Sequence, residues 1–376
     1  MRVLIAAGGT AGHINPALAI ASVIRAHCPE AEIHFAGRQK GMEYGLVTKA
    51  GYAFHPIEVN GIQRRLTPKN IARNAAALYH LALAAPRAKA ILRQVQPDLV
   101  IGAGGYVSGP VVRAAAKRGI LTAIHEQNAF PGVTNKILAK QVDLVFAAMP
   151  DAVERLAVPD KTLVVGNPVR KEMLAADRLA ARRELGLADG QILLLSFGGS
   201  LGAQRVNEVV AQLAKWELDG RDLRHIHATG SIEKADFARL AAELGIDHDP
   251  RFEIREYIED MPKLLAAADL VISRAGALTL AEIAAVGRAS VLIPSPNVAE
   301  NHQYYNALQL QKLGAAVVVE EKDLTGEKLI GIVEGLIRDP AALMEMGVKA
   351  KALAQPDSLE RIWDALEKEL EKKKAL

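Results

Sequence analysis

Apolar residues in this chain fall into short β-rich runs, each followed by a turn and then by an Ala/Leu-rich stretch with helical spacing. RVLIAA, EIHFAG, PDLVIGAGG, LTAIHE and VDLVFAA make up the first series. Their apolar residues are close to continuous, which predicts parallel strands covered by helices on both faces: a doubly wound α/β domain. After Val165-Gly166-Asn167-Pro168 the pattern restarts with QILLLSFGG, LRHIHATG, RFEIRE, ADLVISRAG and ASVLIP, so a second α/β domain is expected to follow. The pattern divides the chain into residues 1–165, 166–356 and a last helix over 357–376, expected to pack back toward the first domain.

The restart also repeats a device. RVLIAAGGTAGH and ILLLSFGGSLGAQR each read as a buried strand, two glycines, a hydroxyl residue, small residues and then a helix. Such a turn presents backbone N–H groups and the positive end of the helix dipole, which favour a phosphate or another anion. Neither loop matches G-x-G-x-x-G or G-x-x-x-x-G-K-[ST], so neither a dinucleotide fingerprint nor a P-loop is supported. Two loops of this kind, opening two consecutive domains, point to a ligand shared across a cleft. In SRAGALTLAE another strand ends in a small-residue turn that starts a helix, with Glu282 one turn along it. A carboxylate there suits a ribose diol while the turn holds a diphosphate; a glutamate placed merely to complement the helix dipole is the plainer alternative. Farther on, NVAENHQYYN is dense in amides, with His302, Gln303 and Asn306 suited to sugar hydroxyls.

Composition narrows the setting. The chain has 376 residues, half of them hydrophobic, enough for two domains with real cores. Its one cysteine, Cys28, cannot form an internal disulfide, and the apolar run at the start is too short for a signal peptide. No window approaches the ~20 apolar residues of a spanning helix, so a cytoplasmic protein is expected, with any membrane contact peripheral. The net charge of +3 conceals an asymmetry: residues 1–165 hold 19 Lys+Arg against 10 Asp+Glu, and the remainder 27 against 33. Between Glu58 and Asp98, Arg64, Arg65, Lys69, Arg73, Arg87, Lys89 and Arg93 meet no acidic residue. Nucleic acid, an anionic membrane or simple solvation would each account for such a run. From Ile71 to Val95 these cations interleave with Leu78, Tyr79, Leu81, Leu83, Ile91 and Leu92, and Pro86 is expected to interrupt or kink the helix. We read this segment as partly packed on the sheet and partly facing lipid. Asp247-His248-Asp249 matches the D-x-D string of metal-dependent transferases, but it lies in a polar stretch away from every glycine loop and reads as a turn.

GGTAGH…NPALA, GAGGYVSGP, HEQNAFPGVTNK, GNPVR, FGGSLGAQRVN, SRAGALTLAEI and NHQYYNA, in this order over residues 8–307, resemble the MurG family of peptidoglycan N-acetylglucosaminyltransferases. The resemblance implies a GT-B fold, with two Rossmann-like domains facing across a cleft. It implies UDP-GlcNAc bound mainly by the C-terminal domain and undecaprenyl-linked lipid I by the N-terminal one. The reaction is inverting transfer of GlcNAc to the C4 hydroxyl of MurNAc, giving lipid II for peptidoglycan synthesis. Neither metal nor cofactor is implied, and the place is the cytoplasmic face of the membrane, with the basic segment near 64–93 on anionic lipid and no nucleic-acid partner.

Carried over by motif, His13 corresponds to the general base, and Thr10, Ala11 and Gly12 line the loop that meets donor and acceptor. Asn128 corresponds to a donor-sugar contact, Arg170 to a donor-binding arginine, Ser200 to a phosphate contact and Ile258 to a backbone contact with uracil. Ala277, Leu278, Thr279, Leu280, Ala281 and Glu282 fall on the diphosphate and ribose segment, and Gln303 on a GlcNAc hydroxyl contact. Gly104, Gly105 and Tyr106 fall on the acceptor side, and Glu126 is the second candidate for the base. Ala11 stands where the family loop commonly has glycine, a mild change if φ is negative there, and His302 where some members have glutamine. The chemistry agrees: inversion at an α-linked donor needs a base for the incoming hydroxyl, and histidine, with an unperturbed pKa of ~6.5, suits. A UDP-GlcNAc 2-epimerase and a noncatalytic nucleotide-sugar or lipid-binding protein are the competing readings. The basic-apolar segment and GGYVSGP weigh against the first, and His13 with the full set of donor motifs against the second.

Overall fold

The apolar runs form parallel strands in two sheets, and the computed structural model describes residues 1–59 and 83–375. One unit comprises Met1–Pro168 with Asp357–Leu376, the other Val169–Pro356, so the first division falls three residues beyond the expected position 165.

In the first unit the strands are β1 (Arg2–Ala6), β2 (Glu32–Gly37), β3 (Ala53–Pro56), β4 (Leu99–Gly102), β5 (Leu121–Glu126), β6 (Leu144–Ala147) and β7 (Thr162–Val164). They lie in the order β3-β2-β1-β4-β5-β6-β7, all parallel. The helices are α1 (Ala11–His27), α2 (Met42–Lys49), α3 (residues 83–95), α4 (Ser108–Ala116), α5 (Val133–Ala139) and α6 (Asp151–Leu156). The period-2 pleat sends Val3 and Ile5 to one face of β1 and Leu4 and Ala6 to the other. Val3 and Ile5 pack with Ile14, Ile20 and Ile24 of α1, and Leu4 and Ala6 with Val111 and Val112 of α4. Ile362, Trp363 and Leu366, from the far end of the chain, complete the α1 side, and Trp363 stacks on His27 at 4.9 Å.

Val169–Pro356 begins with α7 (Lys171–Leu174) and α8 (Arg178–Glu184) and continues with β8 (Ile192–Phe197), α9 (Gln204–Leu218), β9 (Leu223–Ala228), α10 (Lys234–Leu244), β10 (Phe252–Arg255) and α11 (Met261–Ala267). It ends with β11 (Leu270–Ser273), α12 (Ala277–Val286), β12 (Ala289–Leu292), α13 (His302–Lys312), β13 (Ala316–Val318), α14 (Gly326–Ile337) and α15 (Pro340–Lys351). The strand order is β10-β9-β8-β11-β12-β13, again parallel. The last helix, α16 (Ser358–Lys374), belongs to the first unit.

Three strands had no counterpart among the expected runs: β3, β7 and β13. Each is an edge strand of three or four residues. Of the basic-apolar segment, residues 64–82 lie outside the described residues. Residues 83–95 are helical without interruption, so of the two effects expected of Pro86 an interruption does not occur. Ile91 and Leu92 belong to the part packed on the sheet, buried with Ala84 and Ala88, while Lys89 and Arg93 are exposed.

In each sheet the strand order reverses at one place, between β1 and β4 in the first and between β8 and β11 in the second. Connections from adjacent strands leave in opposite directions there and open a crevice at the strands' carboxyl ends, where α/β sheets bind ligands. GGTAGH and GAGGY flank the first crevice, FGGSLGA and SRAGA the second.

Candidate active site

At the first crevice, β1 ends and the chain turns through Gly8, Gly9 and Thr10 into α1. Gly9 adopts φ +94°, a left-handed conformation that L side chains rarely take. His13 therefore stands in the first helical turn, its N–H bonded to the Thr10 carbonyl at 3.0 Å. Ala11 is helical with negative φ, so the replaced glycine leaves no strain. A side chain at Gly9 would meet nothing within 4 Å, and Thr10 and Gly12 are exposed, so this face of the loop is open.

The second loop packs beneath the first. Gly104 has φ +103°, and a Cβ on it would lie 2.3 Å from His13 Nδ1; Gly105 has φ +79°, and a Cβ there would lie 2.2 Å from the Gly8 carbonyl oxygen. These two glycines, expected on the acceptor side, are required here by close packing against the His13 loop. Tyr106, next to them, is exposed. His13 Nδ1 lies 3.2 Å from Gln127 Oε1. Burial lowers the imidazole pKa, while hydrogen bonds with Gln127 and the Ala103 carbonyl oppose that shift. The shift favours the neutral ring, the form a base needs before it accepts a proton.

Glu126, the second candidate for the base, lies in a different setting. Its carboxylate is buried and accepts four hydrogen bonds: Asn128 N–H (2.9 Å), Asn128 Nδ2 (3.1 Å), Gly132 N–H (3.1 Å) and Asn135 Nδ2 (2.8 Å). Burial raises its pKa and these donors oppose the rise. Its oxygens are committed to shaping the HEQNAFPG loop, and through that loop they hold Asn128.

At the second crevice, β8 turns through Gly198–Ala203 into α9, with Gly199 at φ +100° and Gly202 at φ +94°. Ser200 is exposed on this turn. Among the described residues no N-cap side chain bonds the start of α9 or α12, and both helices begin at the mouth of the crevice. Leu278 and Thr279 stand in that turn of α12, Leu280 and Ala281 in the next, and Ala277 opens the helix. Glu282 is 9 % exposed, and Arg170 reaches its Oε1 at 3.5 Å. Burial pushes the Glu282 carboxyl up to about 6, against the pull of Arg170. Two residues named for separate donor roles are thus one ion pair. Ile258 turns its side chain into the core, leaving its backbone to line the bend after β10.

Gln303, in the first turn of α13, accepts from Ser295 N–H at 2.9 Å through Oε1, so its amide nitrogen is the group that would meet a hydroxyl. The helix is entered through two successive left-handed residues, Glu300 (φ 53°) and Asn301 (φ 50°). Backbone of that kind costs about 1–3 kcal/mol per residue and is concentrated at ligand sites. Asp247-His248-Asp249 is a bend in which Asp249 accepts from the Arg251 guanidinium and N–H. Among the described residues no cluster of three or more His, Cys, Asp or Glu is placed to hold a metal.

Sequence profiles of glycosyltransferase family 28 match both units, the N-terminal domain over residues 3–147 and the C-terminal domain over 193–362. A protein of Acetivibrio thermocellus named as the UDP-N-acetylglucosamine–N-acetylmuramyl-(pentapeptide) pyrophosphoryl-undecaprenol N-acetylglucosamine transferase is 41 % identical over 375 residues, all of both chains. One of the same name from Desulfitobacterium hafniense is 42 % identical over 366 residues, 96 % of this chain and 97 % of the relative. The chain belongs to the MurG family, within glycosyltransferase family 28. The crystal structure of Acinetobacter baumannii MurG superposes with a TM-score of 0.75 at 31 % identity, covering 98 % of this chain and 99 % of that one. A UDP-N-acetylglucosamine 2-epimerase from Listeria monocytogenes superposes at 0.69 but with 14 % identity, covering 99 % and 97 %, which shows a shared fold alone. The two Rossmann-like units are those of a GT-B glycosyltransferase, and the family motifs fall at both crevices.

Sequence reasoning missed several residues that hold these loops. Gln127 and His125 lie behind His13. Glu43 accepts from the Arg38 N–H at 3.0 Å and sits under Gly8, where an added Cβ would lie 2.7 Å from its Oε1. Arg274 pairs with Glu321 and donates to the carbonyls of Ile293 and Pro294, tying the α12 turn to the loop that leads to α13. Arg274 was in view within SRAG, and His125 and Gln127 within HEQN, but nothing local gave their partners; Glu43 gave no local signal.

Proposed function

We propose that this glycosyltransferase moves GlcNAc from UDP-GlcNAc to the C4 hydroxyl of MurNAc in undecaprenyl-pyrophosphoryl-linked lipid I, with inversion, making lipid II. The observation that carries the reading is His13, mounted at the switch point of a sheet beneath an open glycine turn, in a chain of this family. In the proposed step His13 takes the proton of the acceptor hydroxyl as that oxygen attacks the anomeric carbon opposite the diphosphate. The bond from that carbon to the phosphate oxygen breaks, and UDP leaves with the electron pair. The first unit supplies the base and the acceptor site. The second supplies the donor site: Ser200 and the first turns of α9 and α12 for diphosphate, Glu282 for ribose, Ile258 for uracil and Gln303 for the GlcNAc hydroxyls, with Arg170 beside Glu282 adding positive charge. Oriented N–H groups at two helix starts oppose the charge developing on the leaving diphosphate.

Among the described residues no helix is long and apolar enough to cross a membrane. We place the enzyme peripherally at the cytoplasmic face, where its acceptor is anchored, with the exposed Lys89 and Arg93 drawing the first unit toward anionic lipid. Sedimentation with anionic vesicles, weakened by salt and absent with neutral vesicles, tests the placement; equal binding to both would refute it. Incubation with UDP-GlcNAc and a lipid I analogue tests the activity. A β-linked disaccharide with stoichiometric UDP supports it, whereas UDP with ManNAc in the absence of acceptor would assign the chain to the epimerases.

A further inference from the structure

We propose that Gln127 and His125 are positioning residues that fix the tautomer of His13, keeping its proton on Nδ1 and leaving Nε2 as the basic nitrogen. The inference rests on the reading of His13 as general base. The direction of every hydrogen bond follows from two carbonyl groups that can only accept. One is Ala103 C=O, 2.8 Å from one terminal atom of the Gln127 side chain, which identifies that atom as the amide nitrogen. The other terminal atom, Oε1, is thereby turned toward His13 Nδ1 at 3.2 Å. The second carbonyl is Gly166 C=O, 3.1 Å from His125 Nε2, so Nε2 carries the proton of that ring. Neutral His125 then presents a bare Nδ1, 3.0 Å from Gln127 Nε2, and with the His125 carbonyl at 3.3 Å it takes the second hydrogen of the amide.

With both hydrogens of the Gln127 amide committed, Oε1 offers His13 only an acceptor, and Nδ1 must donate. A neutral imidazole carries one N–H, so Nε2 is left without a proton. The relay is rigidly held. His125 and Gln127 are buried, Asn167 Nδ2 donates to the Gln127 main-chain carbonyl at 3.0 Å, and Ser358 Oγ reaches the Gly166 carbonyl at 3.3 Å. Gly104 leaves the space that the His13 ring occupies. An amide in this place orients the base without adding a negative charge beside it, so the imidazole is fixed in direction while staying easily deprotonated between turnovers.

Long-range proton–nitrogen correlation spectra of the full-length protein labelled with ¹⁵N-histidine test the assignment. The His13 signals are identified by their loss in His13→Gln. The expected result is a protonated Nδ1 and a bare Nε2 in the unmodified protein. Gln127→Met should move His13 toward the opposite tautomer and lower kcat by ~10–100-fold at nearly constant donor KM. A His13 protonated on Nε2 in the unmodified protein overturns the inference whatever the activity, and needs no variant to fold. If the tautomer is as assigned and Gln127→Met changes it without changing kcat, the relay stands and His13 loses its place as the base.

Discussion

Acidification should weaken donor binding through Glu282. Its carboxyl ionises at about 6, raised by burial and held from rising further by Arg170. A ribose diol donates hydrogen bonds to a carboxylate and much less well to the neutral acid, so UDP-GlcNAc should bind the ionised form. Between pH 7 and pH 5 the ionised fraction falls from about ten-elevenths to about one-eleventh, which predicts a roughly tenfold rise in donor Kd, or ~1.4 kcal/mol. Binding near pH 6 should also release part of a proton, read by calorimetry in buffers of different ionisation enthalpy. The intact sugar nucleotide is the ligand to use, because the terminal phosphate of UDP itself titrates near pH 6. Glu282→Ala should raise donor KM more than it lowers kcat, by ~1.5–3 kcal/mol for a lost charged hydrogen bond, and abolish the pH dependence. Arg170→Ala removes the charge that pulls the carboxyl down, so the loss of affinity should begin at higher pH. Donor affinity flat from pH 5 to 8, or unchanged in Glu282→Ala, would remove Glu282 from the ribose site.

The remaining predictions concern the base, the leaving group and the loops. His13→Ala should lower kcat by ~10²–10⁴ with UDP binding and thermal stability nearly intact; losing all three together would make His13 a structural residue. Activity should survive EDTA, since helix starts carry the diphosphate charge; abolition by chelator and rescue by Mg²⁺ or Mn²⁺ would require a metal site. Gly104→Ala forces a Cβ to within 2.3 Å of His13 Nδ1 at φ +103°, and should cost ~1–3 kcal/mol in chemical denaturation along with most of kcat; a variant of normal stability and rate would contradict that packing. Glu126→Gln sets an amide against four N–H donors and should destabilise by ~1–3 kcal/mol while raising donor KM through Asn128, and a loss of kcat alone, with stability kept, would favour Glu126 as a base.

Both crevices were legible in the sequence because a buried strand, paired glycines and a helix start are neighbours along the chain, so local chemistry announces them. The strand order that makes them switch points was not, since nothing local in RVLIAA says that β4, far along the chain, lies beside it. The same limit explains the missed relay, whose members at 13, 103, 125, 127 and 166 meet only through the folded sheet. The setting of Glu126 was hidden for a related reason: the N–H groups its carboxylate accepts from come from a loop whose shape the sequence does not show. Ile91 and Leu92 lie among cations in the sequence, but which face of α3 they occupy depends on the sheet beneath.

The first unit's α1 face is finished by residues on α16, after the chain has run through the whole of the second unit. During synthesis the first 168 residues therefore emerge without the partner that covers Ile20 and Ile24, while the second unit can close as soon as its own span is out. The amino-terminal unit, first to be made, therefore reaches its final core only once Ile362, Trp363 and Leu366 have left the ribosome.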